Sequence, residues 1–311
     1  MRPKDTPLAN ELSQKLIQYQ TTRPMPGIVP ADNRQSFIEQ ILESIHRIEY
    51  VSAIRKRDIH PSRIDPASEL FDPLKAALIH YRTGNIDEAF WLVFLSVQFG
   101  KHLKDGWRLT RDIYGGLGSQ TWTWARTSGN PQAFQTWLAS QQNILSADGI
   151  SRRFGNHRRY ETLKISQNNR GTAAAIKSYI GWIGANRGHQ LLIDEAATAT
   201  KHDPKAMFDY LYNSMNVDSF ARLAKFDYLT MIGKLGLAPI EPGSPYLKGA
   251  SGPLRGAILL FVENGIKPPS VKDLDQWVIE LGDFLGVGMQ VMEDSLCNWQ
   301  KSPSQFVAFR G

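Results

Sequence analysis

One carboxylate stands out by its position, Asp227, within a segment (residues 219–235) whose spacing of apolar residues predicts an amphipathic helix. At about 100° per residue, Asp227 falls between Leu223 and Phe220 on the apolar face. An ionised carboxylate there is costly unless it is paired or hydrogen-bonded, and such groups often belong to functional sites. Asp227 is therefore the first candidate for a catalytic carboxylate. The alternative is a buried aspartate that an arginine or backbone amides satisfy.

Three further carboxylates rank behind it in the order Asp218, Asp294 and Glu293. Asp218 precedes the same helix, nearly opposite Asp227 on the helical wheel, and its simplest interpretation is the N-cap. Glu293 lies near the apolar edge of the last predicted helix, where a salt bridge explains it about as well as chemistry does. Asp294 points away from that edge.

The densest cluster of charge is residues 152–160, RRFGNHRRY, with four arginines, one histidine and two aromatic residues in nine positions of non-helical composition. Arginine forks suit phosphate oxygens, and neighbouring aromatic rings can stack on unpaired bases. The segment is a candidate nucleic-acid contact, and the alternative is a solvated loop with charge by chance. The candidate side chains are Arg153, Asn156, His157, Arg158 and Tyr160.

Five other side chains could contact a nucleic acid. Lys101 and His102 close a strongly apolar helix, where cations are also favoured by the helix dipole. Trp122 lies in a Gly- and Trp-rich segment and could clamp a base or simply pack in the core. Tyr246 and Lys248 lie in the Pro- and Gly-rich loop after the Asp227 helix, and suit a stacked base and a phosphate.

The composition is that of an ordinary globular protein, with 42% hydrophobic and 21% charged residues in a chain of 311. A net charge of +6 points weakly to an anionic partner. The single cysteine excludes a disulfide framework and a thiolate zinc cluster. The N-terminus has no apolar signal region, and the longest apolar run, residues 90–95, is far shorter than the roughly 20 residues of a membrane span. We expect a monomeric cytoplasmic protein without membrane association, metal or cofactor.

The elements that must position these residues are helices, because helical periodicity recurs while strand-like alternation is nowhere sustained. The pattern predicts an all-α fold with a buried central helix that starts at Asn85, where Glu88 suggests a capping box. The last two helices should be joined by a tight turn at residues 285–288. We expect an N-terminal extension over residues 1–30 and one domain over residues 31–311, whose two lobes divide near residue 165.

Several segments together resemble one family, the alpha-glutamyl/putrescinyl thymine pyrophosphorylases of clade 3, over about residues 35–302. They are AFWLVFLSVQFGKH, FGNHRRYETL with GTAAAIKSYI, AKFDYLTMIGKLGLAPIEPGSPYLKGASGP, and MQVMEDSLCNWQK. The family is similar to the helix-hairpin-helix DNA glycosylases, and its members are associated with hypermodified bases in phage DNA. The resemblance implies a two-lobed glycosylase-like fold, in which the glycine turn at residues 285–288 would present backbone N–H groups to a DNA phosphate.

The function that the resemblance implies is a monofunctional DNA glycosylase of antiviral defence. It would excise bulky modified bases, glucosylated 5-hydroxymethylcytosine foremost, from double-stranded DNA and leave abasic sites. Asp227 would stabilise positive charge on the deoxyribose and orient water. The basic segment, residues 152–160, and Lys248 would hold phosphates, and Tyr246 or Trp122 would stack beside the flipped nucleotide.

Two alternatives stay open. The first is a pyrophosphorylase that acts on phosphorylated hydroxymethyl-pyrimidines in DNA and should need a divalent metal. The second is a non-catalytic helical DNA-binding module.

Overall fold

A computed structural model describes residues 2–165, 170–184 and 186–308. These residues form an all-α fold without a β-strand, which confirms the predicted class, and none of their helices is long and apolar enough to cross a membrane. The helices are α1 (Thr6–Tyr19), α2 (Ala31–Ile54), α3 (Pro73–Arg82), α4 (Ile86–Phe99), α5 (Arg108–Tyr114), α6 (Trp124–Gly129), α7 (Pro131–Ser140), α8 (Gln142–Ala147), α9 (Thr172–Ile183), α10 (Gly188–Ala199), α11 (Pro204–Ser214), α12 (Arg222–Leu235), α13 (Ser251–Phe261), α14 (Val271–Leu285) and α15 (Met289–Trp299).

The chain divides into two compact units. The first unit combines the N-terminal residues up to Val51 with the C-terminal residues from Pro242, and the second runs from Ser52 to Glu241. The boundaries therefore lie at positions 51/52 and 241/242, and not near residue 165. Residues 1–30, expected to be an extension, belong to the first unit, where Leu12 and Leu16 of α1 are buried in its hydrophobic core.

In the first unit, α13 and α15 pack against each other at glycines. A Cβ atom at Gly252 would lie 2.6 Å from Sγ of Cys297, and one at Gly256 would lie 2.3 Å from the carbonyl oxygen of Leu296. Because real Cβ atoms do not approach backbone so closely, Gly256 requires glycine, whereas a side chain at position 252 would force the Cys297 thiol to move. Cys297 is thus a thiol packed against α13.

The last two helices form the predicted helix–turn–helix. Helix α14 ends at Gly286 in the left-handed conformation (φ 76°, ψ 32°), and the N–H of Val287 donates to the carbonyl of Gly282 at 2.9 Å. These are the features of a Schellman motif, which stops a helix and turns the chain sharply. Helix α15 then starts at Met289.

The second unit is built around α4, which is buried at every position from Glu88 to Phe99, as predicted. Phe94 of α4 stacks on Tyr179 of α9 with ring centroids 3.8 Å apart. The predicted capping box is wrong, because Asn85 makes no side-chain cap and Glu88 turns inward. The Glu88 carboxylate accepts hydrogen bonds from the Tyr114 hydroxyl and the Trp124 N–H, each at 2.7 Å.

Helix α12 begins three residues later than residue 219, with Ala221 as its N-cap. Asp218 is therefore not the N-cap, and its own N–H donates to Oγ of Ser178 at 2.8 Å. Phe220 is buried but lies outside the helix, so the predicted apolar face is displaced. The buried face of α12 contains Tyr228 and its neighbours one turn away, and Asp227 lies on its partly exposed flank.

Candidate active site

Asp227 and His157, seventy positions apart in the chain, come together in the second unit. Nδ1 of His157 lies 3.3 Å from Oδ2 of Asp227, and the two side chains are 47% and 34% exposed. Asp227 projects from α12, and His157 lies in a short 3₁₀ turn, Asn156–Arg158. A carboxylate and an imidazole within hydrogen-bonding reach and open to solvent can orient a water molecule or move a proton.

Arg158, the neighbour of His157, is buried and holds the surrounding segments together. Its side chain is 2% exposed and donates to the carbonyl and the side-chain oxygen of Gln98 at 3.2 and 2.8 Å. It also donates to the Tyr160 hydroxyl at 2.9 Å and to the carbonyl of Ser219 at 3.2 Å. Arg158 thus connects the end of α4, the basic segment and the approach to α12. It does not lie at the surface, where the phosphate contact predicted for it would be made.

The backbone is strained at Ser219, whose carbonyl accepts a hydrogen bond from Arg158. Ser219 has a φ of 60°, and its Oγ accepts a hydrogen bond from the N–H of Gly171 at 3.1 Å. A left-handed conformation in a residue other than glycine costs on the order of 1 kcal/mol and persists only when the surroundings enforce it. The same arginine therefore fixes the start of α12 and the turn that carries His157.

Two buried polar residues beside Arg158, Gln98 and Glu161, were missed by sequence reasoning. Burial raises the pKa of the Glu161 carboxyl, while the charge of Arg158 and the nearby Gln98 amide act in the opposite direction. Among the described residues, Nε2 of Gln98 and Oε2 of Glu161 have no partner at hydrogen-bonding distance. A glutamine near the end of the otherwise apolar α4 is the sequence feature that could have drawn attention to this cluster.

His102 is used in building a tight turn. The backbones of His102 and Gly106 pair through two hydrogen bonds of 3.0 and 2.9 Å. Nδ1 of His102 accepts from the N–H groups of Lys104 and Asp105 at 3.3 and 3.2 Å. Lys101 is exposed, with its ammonium 5.8 Å from the centre of the Trp107 ring.

Two arginines of the basic segment are paired with aspartates from other parts of the second unit. Arg153 makes a two-pronged contact with Asp105, with both distances 2.8 Å, and these hydrogen bonds hold the pKa of Asp105 well below its usual range. Arg152 pairs with Asp112 and Asp148, each at 2.7 Å, and lowers the pKa of Asp148 to about 2. Half of the Arg153 side chain is exposed, whereas Arg152 is nearly buried. The positive surface is therefore smaller than the count of arginines suggests.

The basic segment meets the end of α4 backbone to backbone. The N–H of Gly155 donates to the carbonyl of Phe99 at 2.7 Å, and a Cβ at Gly155 would lie 2.7 Å from the carbonyl carbon of Gly100. The contact joins two short segments of the same pattern, F-G-K-H at residues 99–102 and F-G-N-H at residues 154–157. Glycine is required on both sides.

Trp122 lies in the core. It is 2% exposed and packs against Phe134 and Trp137 with ring centroids 5.3 and 5.5 Å away. The same position lets its carbonyl accept a hydrogen bond from the indole of Trp91 at 2.9 Å. Of the two interpretations of Trp122, its location agrees with core packing.

Four sequence candidates belong to the first unit. Asp294 of α15 pairs with Arg47 and accepts from the Asn298 amide at 2.9 Å, while Glu293 beside it is buried. Tyr246 has a φ of 50°, and Lys248 is exposed. Asp227 lies in the second unit, where it contacts His157.

A second aspartate–histidine pair lies inside the second unit. Oδ1 of Asp87 accepts from Nδ1 of His189 at 2.6 Å and from its backbone N–H at 2.7 Å. Nε2 of His189 is 2.7 Å from the Tyr179 hydroxyl, which is 2.8 Å from the Tyr228 hydroxyl. Burial lowers the pKa of His189, so the neutral ring donates through Nδ1 and accepts from Tyr179 at Nε2. Tyr179 in turn accepts from Tyr228.

No group of three histidine, cysteine, aspartate or glutamate side chains within the described ranges could hold a metal ion. The pyrophosphorylase alternative expects a divalent metal, and the described residues do not supply such a set.

Comparison with known proteins places the chain at family level. The model of the alpha-glutamyl/putrescinyl thymine pyrophosphorylases, clade 3, matches residues 32–311. No curated protein and no solved structure matches the chain. The family match spans nearly the whole chain and includes both Asp227 and His157. The chain therefore belongs to the alpha-glutamyl/putrescinyl thymine pyrophosphorylase family, clade 3.

Proposed function

We propose that this protein is a monofunctional DNA glycosylase that excises bulky hypermodified bases from double-stranded DNA, with glucosylated 5-hydroxymethylcytosine as its foremost substrate. The family description supports work on modified pyrimidines. The observation that carries the choice of reaction is the half-exposed pair of Asp227 and His157. In this proposal the protein acts as a cytoplasmic monomer and defends its host against phages whose DNA carries such bases.

In the reaction, the bond between C1′ of the deoxyribose and the base breaks, and the base leaves with the bonding electrons. Asp227 stabilises the positive charge that develops on the sugar and orients a water molecule toward C1′. His157 holds the carboxylate in place from 3.3 Å. The water supplies hydroxide to C1′, and its proton neutralises the departing base, so that an abasic site remains.

The DNA contacts in this proposal come from exposed side chains. Lys101 and Arg153 meet phosphates, Asn156 lies beside His157, and Tyr160, 60% exposed, stacks on an unpaired base. His102, Arg158 and Trp122 act through the fold, by shaping the turn, the loop and the core.

The first unit contributes contacts of its own in this proposal. Tyr246 stacks on a base and Lys248 meets a phosphate. The helix–turn–helix of α14 and α15 resembles the hairpin of helix-hairpin-helix glycosylases, and its glycine turn would face a DNA phosphate.

The family description favours a second candidate, a pyrophosphorylase of base modification. Such an enzyme would displace pyrophosphate from a pyrophosphorylated hydroxymethyl-pyrimidine in DNA, with a nucleophile such as an amine or water forming the new bond to the methylene carbon. A divalent cation would neutralise the leaving group, as in other reactions of phosphate esters.

Incubation of the protein with three DNA duplexes separates these candidates. One carries a single glucosylated 5-hydroxymethylcytosine, one a pyrophosphorylated 5-hydroxymethyluracil, and one no modification. Strand breaks after alkali at the glucosylated position support the glycosylase. Pyrophosphate release in magnesium without abasic sites supports the second candidate, and binding alone indicates a non-catalytic module.

The choice of carboxylate is tested with Asp227→Asn, Asp218→Asn, Asp294→Asn and Glu293→Gln. We expect only the first to abolish excision. Full activity of Asp227→Asn together with loss in Asp218→Asn would overturn our assignment.

A further inference from the structure

The turn after α4 presents an apolar side chain to solvent. Leu103 is 74% exposed, the highest value among the large apolar side chains that the structure describes. Its neighbours Lys101 and Lys104 are also exposed. A single exposed leucine is common on protein surfaces, so exposure by itself indicates little. The support beneath Leu103 is what distinguishes it.

That support is rigid for a turn of five residues. The backbones of His102 and Gly106 are paired on either side of Leu103, and Gly106 has the positive φ of 59° that closes the turn. Nδ1 of the His102 ring accepts hydrogen bonds from the N–H groups of Lys104 and Asp105 within the turn. A side chain held this way keeps its position when it is pressed against another molecule.

The turn is also attached to the candidate active site. Asp105 binds the guanidinium and the backbone N–H of Arg153 and the Oγ of Ser151, the last at 3.0 Å. The glycine contact between residues 100 and 155 closes the same junction. Two positions after Gly155 the chain reaches His157, which pairs with Asp227. The Leu103 turn and the proposed catalytic pair therefore share one support.

We propose that Leu103 is a wedge that enters the base stack of duplex DNA at the gap left by the flipped nucleotide. The inference rests on the proposed glycosylase function. Proteins that unstack base steps insert apolar side chains of this size, and an extruded base leaves a gap that must be filled. Lys101 and Lys104 lie on either side of Leu103 in sequence, and their ammonium groups would meet the phosphates beside the gap. Because leucine makes no hydrogen bonds, the wedge acts on any base step.

The test uses a duplex with one glucosylated 5-hydroxymethylcytosine and 2-aminopurine as the adjacent base, whose fluorescence rises on unstacking. We expect the wild-type protein to raise the fluorescence several-fold and Leu103→Ala to remove most of this rise. Since the step must be unstacked without the wedge, excision from duplex should fall about tenfold in Leu103→Ala. Excision from the same strand without its complement should change less than about twofold, because no stack has to be opened.

Leu191→Ala is the matched control, since Leu191 is a half-exposed leucine on α10. It should behave as wild type on both substrates. Leu103→Met, which keeps an apolar side chain of similar length, should restore most of the fluorescence rise.

The outcomes separate the wedge from the function on which it rests. A rise in fluorescence that depends on Leu103, without release of any base, supports the wedge and contradicts the glycosylase. Base release without a fluorescence rise overturns the wedge alone. Equal losses by Leu103→Ala on duplex and on single strand also overturn it, and so does a wild-type protein that does not bind the duplex.

Discussion

The two aspartate–histidine pairs of the second unit have the same chemistry and differ in the burial of the histidine, since the Asp87 side chain is 40% exposed and that of Asp227 is 34% exposed. His189 is 1% exposed, and its ring and backbone both donate to Asp87. His157 is 47% exposed and meets Asp227 at the longer distance of 3.3 Å. The buried His189 ring is hydrogen-bonded to the Tyr179 hydroxyl, which is hydrogen-bonded to that of Tyr228. Asp227 and His157, in contrast, are partly exposed to solvent.

In our proposal, the burial of the histidine separates the structural pair from the reactive pair. In the pair with the buried histidine, each hydrogen bond in the series from Tyr228 to Asp87 has one donor and one acceptor. The direction follows from the neutral imidazole, which has one donor nitrogen and one acceptor nitrogen. A proton transfer there would create a charge in an apolar interior, which is costly. The exposed pair is in contact with solvent, so that a water molecule and a substrate can reach it. Histidine beside aspartate is therefore no sign of catalysis until its surroundings are known.

The largest effect should come from the exposed pair. Asp227→Asn removes the charge that opposes the positive sugar, and we expect excision to slow on the order of 100- to 1000-fold. The free energy of unfolding should change by less than about 0.5 kcal/mol, because the side chain is partly exposed and its loss leaves no cavity. Single-turnover excision and urea unfolding measure the two quantities. A large loss of stability with unchanged chemistry would reverse the roles of the two pairs.

The buried pair should show the opposite behaviour. His189→Ala leaves a cavity and deprives Tyr179 and Asp87 of partners, so we expect a loss of about 3 kcal/mol in the free energy of unfolding. Excision by the folded fraction should stay close to wild type. Urea unfolding at pH 7 gives the stability, and activity is compared at a temperature where the variant is folded. His157→Ala is the matched control and should be close to wild type in stability.

Acid should weaken the fold through His189. Burial lowers its pKa in the folded protein, whereas in the unfolded chain the ring titrates near its ordinary value of about 6.5. Below that pH the unfolded state binds more protons than the folded state, so stability falls as the pH decreases. Asp87, whose pKa is lowered by the bond from His189, adds a further loss only near the pH range of carboxyl groups.

Urea unfolding between pH 7 and pH 5 measures this slope. His189→Gln should flatten part of it, and His80→Gln another part, because burial lowers the pKa of His80 as well. A slope that survives in His189→Gln would show that the ring is not held neutral.

The smallest effect concerns Tyr228, at the end of the hydrogen-bonded series that starts at Asp87. Tyr228→Phe removes the hydroxyl that donates to Tyr179 and keeps the ring packing, so we expect a loss of about 1 kcal/mol in the free energy of unfolding. Tyr179→Phe should cost more, because it leaves both His189 and Tyr228 without their partner. Equal losses would indicate that the direction assigned to these hydrogen bonds is wrong.

Much of the fold was predictable from local patterns. Apolar periodicity identified α4 as a buried helix, and Asn130 and Ser270 cap α7 and α14 by accepting hydrogen bonds from the N–H groups of Ala133 and Asp273. These features depend on residues within one or two turns of each other. The start of α12 was missed because Ser219 adopts a left-handed conformation that only the distant Arg158 and Gly171 explain.

The candidate site was predictable in its parts and not in its arrangement. Sequence reasoning selected Asp227 and His157 for separate reasons, and nothing local indicated that they meet. Arg158 was assigned to a phosphate because a charged residue in a polar segment is usually exposed, whereas here it satisfies the backbone carbonyl groups of Gln98 and Ser219. Asp87 and His189 were not considered at all, since an aspartate near a helix start has a simple local explanation.

The glycine contact between residues 100 and 155 has a consequence for protein engineering. Each glycine excludes a side chain on the other, so neither can be replaced while the other segment stays in place. The residues that follow each glycine, 101–106 and 156–158, extend from this fixed junction. Among these residues Lys101, Lys104 and Asn156 are exposed, whereas His102, Asp105 and Arg158 hold the two segments through hydrogen bonds. Libraries that vary the exposed residues and keep both glycines should retain the fold, which makes this junction the natural place to redesign which modified base the protein accepts.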